Sequence, residues 1–384
     1  MPLGRAVDER VLLPLAYRVL LGRKVDPSGL HTYTEALGQG MTRRALIADL
    51  RTSNERARLL ARRANRRRHV KNSVRRKRAF LVASVRFHVR RVVKRSEPVD
   101  AAFRAFLHRP PTATERAYYV RFLSRGPGRV RSLPGLLERG VEFASTHRLD
   151  PIPFWAVHEA RMQLVQERVP RARTVVDLGG SSGEAEEGAL LGMGYPYRPE
   201  RIDIIDPELD EDGRPIRRPL HATNAVRTAD GIHVVYHSCS MTDLSDFGSE
   251  ETDLVFSGES IEHVTKDEAR ATLAECYRIL RPGGSLCIDT PNAAVTRLQN
   301  PHGFIHPGHG HEYLVDELVE MVVNAGFDVA ERLGICAMRG TLSNAVFDDA
   351  ELVAGRGLHD DPESCYLFFL RATKPQAASA AAAS

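Results

Sequence analysis

The sequence of 384 residues has little of what marks secreted or membrane-spanning proteins. Its five cysteines are scattered, odd in number and without a C-x-x-C pair. This pattern excludes a disulfide framework and predicts free thiols in a reducing compartment. No apolar run approaches the roughly 18 residues of a membrane span, and the charged N-terminus (Arg5, Asp8, Glu9, Arg10) is unlike a secretory signal. We therefore expect a cytoplasmic protein, which leaves contact with a membrane surface open.

Acidic residues are absent from residues 56–95, which hold 17 Lys or Arg. Apolar residues are interspersed, and neither proline nor glycine interrupts the stretch. The pattern predicts one or two long basic helices with a partly apolar face. Three interpretations stay open: contact with an anionic membrane surface, binding of a nucleic acid, or a solvated helix that packs on a neighbour and joins two folded pieces.

The run from Thr174 to Gly183, T-V-V-D-L-G-G-S-S-G, predicts a buried strand followed by a glycine-rich turn that lies close to a ligand. The second and third glycines of G-x-G-x-x-G are missing and no Gly-Lys-Ser/Thr follows, which argues against a dinucleotide loop and a P-loop. A helix is expected next, and Glu184, Glu186 and Glu187 in its first turn would repel a pyrophosphate. A ligand with sulfonium and ammonium charges would be tolerated, so S-adenosylmethionine fits better than NAD or ATP.

Further strands follow this loop. Residues 201–206 predict a second strand that ends in Asp206, where a carboxylate can accept both ribose hydroxyls. Five more strands are expected at residues 232–237, 252–257, 285–290, about 328–335 and 364–372. In this order, V-V-D-L-G-G-S-S-G, D-L-V-F-S-G-E-S-I-E-H-V and R-I-L-R-P-G-G-S-L resemble the class I S-adenosylmethionine-dependent methyltransferases over roughly residues 150–373. The resemblance implies an α/β fold, a Rossmann-like seven-stranded sheet whose last two strands form an antiparallel hairpin, after an all-α N-terminal region.

The same resemblance assigns donor-binding residues. The loop that holds the methionine moiety and ribose matches Asp177, Gly179, Gly180 and Gly183, and the ribose-binding acid matches Asp206. The pair that flanks adenine matches Ser240 and Met241, whereas Ser257 and Glu259 lie at the end of the fourth strand, where the reacting methyl points. Two departures stand out: Ser181 replaces a usual glycine, and the polar, proline-containing residues 207–230 predict a loop or hairpin insertion where a plain helix is expected.

Four histidines (His302, His306, His309, His311) and Glu312 follow the fifth strand. These imidazoles could act as a general base near neutral pH or bind a metal ion. Alternatively, they could have only a structural role in a loop that covers the site. The motif G-H-G-H-E-Y resembles an element of methyltransferases encoded with surface-polysaccharide enzymes. We choose His309 or His311 as the catalytic base with Glu259 or Glu262 in support, and we assign no metal ligands. His263 is expected to have a structural role at a helix start.

A repeat precedes the catalytic region. Residues 17–40 align without gaps on residues 103–126, and the coincident pairs include Tyr17/Phe103, Arg23/Arg109 and Tyr33/Tyr119. Both copies resemble small helical domains related to phycobilisome linkers in bacterial surface-glycan proteins, the second copy in degenerate form. The expected domains are a first copy (1–60), a basic linker (61–98), the second copy (99–149), the methyltransferase domain (150–374) and a disordered tail (375–384).

Together the two resemblances favour O-methylation of a sugar hydroxyl in a surface glycan or glycolipid, with a glycan or lipid-linked acceptor at the inner face of the membrane. One alternative is a nucleic-acid methyltransferase that uses the basic helix, although an N-P-P-Y-type motif is missing. Another is a non-catalytic scaffold that binds S-adenosylmethionine, against which the intact Asp177, Gly179, Gly183 and Asp206 argue.

Overall fold

The computed structural model describes residues 9–20, 23–52, 54–94, 96–124, 129–182, 187–209, 215–216, 225–227 and 231–376. The chain divides into two compact units, residues 1–79 and residues 80–384. Two sequence predictions, the glycine at position 183 and the tail beyond residue 376, lie outside the described residues.

The first unit is helical. Its helices are α1 (Glu9–Leu20), α2 (Pro27–Gly38), α3 (Arg43–Thr52) and the first part of α4 (Asn54–His88). Apolar residues three and four positions apart place one face of α1 inward, and the core of this unit contains Leu13, Tyr17, Leu20, Leu46 and Leu50. The long basic helix predicted from the sequence is confirmed, and a π-helical turn (Val89–Val93) follows it.

The second unit begins within α4 and continues with four helices, α5 (Pro98–Phe106), α6 (Ala113–Ser124), α7 (Arg129–Arg139) and α8 (Val141–Thr146). Glu97 caps α5, because its carboxylate accepts the backbone N–H groups of Val99 and Asp100. The rings of Phe106 and Phe143 are buried and lie 5.9 Å apart between centroids. Aromatic packing therefore builds this helical layer.

The remainder alternates strands and helices. After α9 (Pro153–Glu167) come β1 (Thr174–Leu178), α10 (Ala189–Gly192), β2 (Arg201–Ile205), β3 (Glu208–Leu209), β4 (Pro215–Ile216), β5 (Ala225–Arg227), β6 (His233–His237), β7 (Thr252–Gly258), α11 (Lys266–Ile279), β8 (Leu280–Pro291), α12 (Ala293–Gln299), α13 (Val315–Asn324), β9 (Asp328–Ala337), α14 (Arg339–Asn344), α15 (Asp349–Ala354), β10 (Leu358–His359) and β11 (Cys365–Thr373). The helix predicted at residues 184–191 is therefore described only as the single turn α10, since residues 183–186 are not described.

Among the described residues, the larger sheet has nine strands in the order β10-β9-β11-β8-β7-β1-β2-β6-β5. All seven predicted strands are present, and the last two, β9 and β11, are antiparallel neighbours as predicted. The two additional strands extend the edges: β5 pairs antiparallel with β6, and β10 pairs antiparallel with β9. The predicted hairpin in the insertion is confirmed, because β3 pairs antiparallel with β4.

Strands β1, β2, β6, β7 and β8 are parallel, and apolar clusters cover both faces of the sheet. Side chains alternate between faces along β1, so that Val175 belongs to one cluster and Val176 to the other. The carboxyl ends of these parallel strands meet at one edge, which is where an open α/β sheet binds its ligands.

All five cysteines are free thiols, and four of them are buried. Among the described residues, no helix combines the length and the apolar character needed to cross a membrane.

Candidate functional site

The glycine loop after β1 is shaped by contacts that exclude larger residues. Gly179 has a φ of +70°, and an added Cβ there would lie 2.6 Å from Cβ of Ser260. At Gly180, an added Cβ would lie 2.3 Å from the carboxyl group of Asp177. The first position therefore needs glycine for its backbone conformation, and the second needs it for a close approach to the carboxylate.

Asp177 itself is 1% exposed at the end of β1. Its Oδ2 accepts a long hydrogen bond of 3.4 Å from the backbone N–H of Leu190. Burial raises the pKa of this carboxyl to about 7, and the nearby negative charge of Asp206 adds to the increase. A buried acid with such weak partners is stabilised when a positively charged ligand binds beside it.

The residues matched to ribose and adenine lie at the ends of the two neighbouring strands. Asp206 directly follows β2, and its backbone N–H donates to the carbonyl of His237 on β6 at 3.1 Å. The hydroxyl of Ser240 is 2.8 Å from the hydroxyl of Thr242, whereas Met241 is buried in the core below. The strand order thus brings the loop after β1, Asp206 and Ser240 to the same edge of the sheet.

The end of β7 carries the residues expected to face the reacting methyl. The buried hydroxyl of Ser257 is 2.6 Å from the hydroxyl of Ser260. Glu259 has a left-handed backbone with a φ of +51°, and its N–H donates to the carbonyl of Asp289 at 2.8 Å. Such a conformation is strained for a residue with a side chain and persists only where the surrounding contacts hold it.

Arg161 on α9 holds this strained residue in place. Its guanidinium is 2.5 Å from the carboxylate of Glu259 and 2.7 Å from that of Asp289. Burial raises the pKa of Asp289 to about 6, although the charge of Arg161 opposes that increase. Burial, together with the charge of Glu259, also raises the pKa of Glu262 well above its usual value. The single buried guanidinium of Arg161 therefore balances the negative charge of several carboxyl groups that lie close together.

Neither Arg161 nor Asp289 was predicted from the sequence. The signal for Arg161 was present, because it is a charged residue among the buried apolar residues of α9, namely Ala156, Val157, Ala160, Leu164 and Val165. For Asp289 the signal was an acid within the apolar run that forms the buried second half of β8.

Two cavities meet at this junction. An open cavity of about 1210 Å³ borders the glycine loop and the helices α5–α9, and a second cavity of about 470 Å³ borders the histidine loop. His158, Arg161 and Glu259 line both cavities. The second cavity is also lined by Phe154, Val157, Glu262, His263, Pro291, Gln299, Ile305, His306, His309 and Tyr366. A ligand at the glycine loop and one at the histidine loop would therefore approach each other beside Glu259.

A carboxylate holds the ring of His309 through Nδ1, so that Nε2 lies on the opposite side of the ring. Its Nδ1 lies 2.8 Å from Oε1 of Glu312, which also accepts the backbone N–H of Ile305 at 2.8 Å. The hydroxyl of Thr296 donates to the other oxygen of Glu312. Burial tends to raise the pKa of Glu312, but the hydrogen bonds from His309 and Thr296 outweigh burial and lower it. Because Glu312 stays ionised, Nδ1 of His309 keeps its proton, and the lone pair is at Nε2.

The structure separates the two histidines proposed as the base. Nε2 of His311 lies 2.9 Å from Glu317 on α13, and its ring packs against Tyr313. His311 is absent from the lining of the 470 Å³ cavity, as is the exposed His302. Only His306 and His309, of the four histidines in the loop, border that cavity.

His263 also borders the cavity and contacts the same loop. Its Nδ1 donates to the carbonyl of Gly308 at 3.2 Å, and its ring lies 4.9 Å from that of His309. Burial and the neighbouring imidazoles lower the pKa of His263. Its expected role at the start of α11 is filled instead by Thr265, which forms a capping box with Glu268.

Nitrogen atoms of His263, His306 and His309 lie within 4.8 Å of one another, a spacing compatible with a metal ion. However, Nδ1 of His306 accepts the backbone N–H of Gly308 at 3.1 Å. The neutral ring of His306 then carries its proton on Nε2, so this cluster could bind a cation only after His306 changes its hydrogen bonding.

The chain is similar to known methyltransferases. Residues 216–288 match the family described as "Methyltransferase domain". A "Probable S-adenosylmethionine-dependent methyltransferase" of Mycolicibacterium smegmatis is 37% identical over 83 residues, which are 22% of this chain and 31% of the relative. The chain thus spans about a third of the length of that relative.

Two further matches extend over more of the chain. A "Ubiquinone biosynthesis O-methyltransferase" of Hahella chejuensis is 24% identical over 61% of this chain and 87% of the relative. The crystal structure of a SAM-dependent methyltransferase from Archaeoglobus fulgidus covers 61% of this chain and 100% of its own, with 16% identity and a TM-score of 0.38. With the strand order and the glycine loop described above, these sequence matches make the chain similar to S-adenosylmethionine-dependent methyltransferases in the region of its mixed sheet.

Proposed function

We propose that this protein transfers a methyl group from S-adenosylmethionine to a hydroxyl group of a sugar in a surface glycan or glycolipid. The observation that carries the proposal is the His309–Glu312 pair, because His309 borders a cavity that shares Glu259 with the cavity at the glycine loop. Transfer to oxygen requires removal of a proton, and an imidazole anchored by a carboxylate is suited to accept one. The glycan specificity rests on the two sequence resemblances, and the name of the Hahella relative supports O-methylation.

The residues at the glycine loop fit the proposed donor. Gly179, Ser181 and Ser182 border the larger cavity, the buried carboxyl of Asp177 lies in the same loop, and Asp206 is available for ribose hydroxyls. Ser240 and Met241 are proposed beside adenine, and Ser257 beside the reacting methyl. When bound, S-adenosylmethionine supplies an electrophilic methyl group on sulfur. The protein aligns the acceptor with that methyl and excludes water.

We propose His309 as the catalytic base. Nε2 of His309 would accept the proton of the acceptor hydroxyl, while that oxygen receives the methyl group that bound S-adenosylmethionine would supply. Ionised Glu312 stabilises the resulting imidazolium, in the way that a buried acid orients the histidine of a hydrolase triad. Glu259, fixed by Arg161 at the junction of the cavities, is proposed to accept a hydrogen bond from the acceptor.

We also propose that residues 9–52 and 98–146 are two copies of one helical module, each within its own unit. In the first, Arg23 lies 5.1 Å over the ring of Tyr17, which packs edge-on against Tyr33. In the second, Arg109 lies 5.2 Å over Phe103, which packs edge-on against Tyr119. These are the residue pairs that the gapless sequence alignment makes equivalent. The shared arrangement supports the repeat expected from the sequence and a scaffolding role for both modules.

Comparative mass spectrometry of cell-surface glycans and lipids tests the function. Deletion of the gene should remove a methyl ether from one glycan or glycolipid species. The wild-type gene should restore it, and the His302→Gln gene, altered at an exposed histidine outside the cavity, should restore it equally well. The His309→Gln gene should not. A methyl group lost from RNA or DNA instead, or no loss from any glycan or lipid, would contradict the proposal.

A further inference from the structure

Helix α4 and the π-helical turn after it have two apolar faces, and one of them is covered within the second unit. Phe80 packs edge-on against Phe106 of α5 with ring centroids 5.8 Å apart. Ala83 and Phe87 lie on the same side and are 1% and 8% exposed. This inner face attaches the segment to α5, so the opposite face is held outward.

The outward face carries a row of exposed aliphatic side chains. Leu81 is 65% exposed, and Val85 and Val92 are each 57% exposed. Val82 and Val89 are exposed as well. Their spacing of three and four residues puts these five residues on one side of the helix, and we call them the outer stripe. Exposed aliphatic residues are ordinary when single, but a contiguous row of them usually marks an interaction surface.

Cationic residues are interleaved with the outer stripe along the sequence. Arg86, Arg90, Arg91 and Lys94 alternate with its apolar residues, and Arg86, Arg91 and Lys94 are exposed. The sequence has no Asp or Glu between residues 56 and 95. The surface therefore combines a central apolar row with cations that have no acidic residue on their own segment.

We propose that the outer stripe binds the surface of an anionic lipid bilayer, with the helix lying in the plane of the interface. An interfacial helix inserts its apolar residues between the headgroups while its Lys and Arg side chains contact lipid phosphates. Long basic side chains can bury their methylene groups in the same layer. This inference concerns the position of the protein and is independent of the acceptor that it methylates.

The composition of the surface disfavours the other occupants. A second copy of the same helix would bring like charges together along the whole contact, because acidic residues are absent from both partners. A nucleic acid would attract the cations but would gain nothing from a central aliphatic row. The two phenylalanines of this segment, the side chains suited to stacking on bases, lie on the inner face.

Vesicle sedimentation of the full-length protein tests the proposal. Phosphatidylcholine vesicles containing phosphatidylglycerol should bind the wild type, and pure phosphatidylcholine vesicles should bind it at least about tenfold more weakly. The triple variant Leu81→Gln/Val85→Gln/Val92→Gln removes the stripe and keeps every charge, and it should lose at least about tenfold in vesicle affinity. The double variant Arg91→Gln/Lys94→Gln should lose affinity and salt dependence. The matched control is Val120→Gln, an exposed valine on α6, which should bind like the wild type.

Thermal unfolding and S-adenosylmethionine titration establish that each variant is folded. Equal binding to both kinds of vesicle, or unchanged binding by the triple variant, would overturn the proposal. RNA binding that is abolished by the double variant and unaffected by the triple variant, without vesicle binding, would identify a nucleic-acid surface instead. Self-association that the triple variant abolishes, without vesicle binding, would identify a second copy of the chain as the partner.

Discussion

Asp177 at the donor loop and Glu312 at the histidine loop are both almost fully buried carboxyl groups, at 1% and 2% exposure. Their pKa values nevertheless move in opposite directions. Burial raises that of Asp177 to about 7, whereas hydrogen bonds from His309 and Thr296 overcome burial and lower that of Glu312. Burial alone therefore does not determine whether a carboxyl group is ionised. The number and geometry of the hydrogen bonds donated to it also determine its charge state.

The contrast indicates that the two sites differ in how complete their hydrogen bonding is in the absence of a ligand. The proposed acceptor side already has its hydrogen bonds without a ligand, because Glu312 binds His309, Thr296 and the backbone of Ile305. The donor side has a buried acid with a long hydrogen bond to Leu190, which a cationic ligand would complete. We expect changes on the acceptor side to reduce turnover and changes on the donor side to reduce affinity.

The largest effect is expected at His309. Replacement by Gln removes the proposed base and keeps a side chain of similar length, so kcat should fall by about 10²–10⁴, the usual contribution of a general base. The affinity for S-adenosylmethionine, measured by calorimetric titration, should stay unchanged. His302→Gln is the matched control and should keep normal turnover. A near-normal kcat in the His309→Gln enzyme would show that His309 is not the catalytic base.

The second prediction concerns the pH dependence of stability that the raised pKa of Asp177 should cause. The pKa of Asp177 is raised from 3.8 to about 7 on folding, so the folded protein keeps a proton that the unfolded chain releases. The wild type should lose stability as pH rises through this interval, by up to about 1.4 kcal/mol per pH unit. Asp177→Asn has no such charge to bury, so its stability relative to wild type should increase from about pH 4 to about pH 7 and then level off.

Denaturant unfolding of the ligand-free proteins across this pH range measures the difference. The same variant should bind S-adenosylmethionine more weakly, because the ionised carboxylate is lost. If the difference in stability between the wild type and Asp177→Asn did not depend on pH, Asp177 would be ionised in the folded protein over the whole range. Its pKa would then not differ in direction from that of Glu312.

A third test addresses the second donor-side acid. Asp206→Ala should remove the proposed hydrogen bonds to ribose, a loss of about 1.5–3 kcal/mol for charged partners. The affinity for S-adenosylmethionine should fall by roughly ten- to a hundredfold, while kcat at saturating donor changes little. Unchanged affinity in calorimetric titration would mean that another residue binds the ribose.

The sequence was informative where a pattern is local. Val175 and Val176 indicated a buried parallel strand, the glycines at 179 and 180 indicated a close approach, and prolines at 207 and 215 indicated an insertion in place of a helix. Each of these depends on neighbouring residues only, and the structure contains the strand, the turn and the hairpin.

Prediction was weaker where contacts are distant or elements are very short. The strands β5 and β10 have three and two residues, too few for an alternating pattern. Arg161 contacts Glu259 and Asp289 across 98 and 128 positions of sequence, and only the closed sheet brings them together. His309 and His311 are two residues apart in a loop without periodicity, so their sequence positions do not determine which one borders the cavity.

The smallest effect is expected at His311, and it completes the comparison within the histidine loop. His311 bonds Glu317, which also pairs with Lys266 at 2.7 Å, so removing the imidazole leaves the carboxylate with a cationic partner. Contacts of this partly exposed kind usually contribute less than about 1 kcal/mol. His311→Gln should therefore change kcat by less than about threefold and leave donor affinity unchanged. A fall of about a hundredfold or more at His311, with His309→Gln near normal, would reverse the assignment and place the acceptor beside α13.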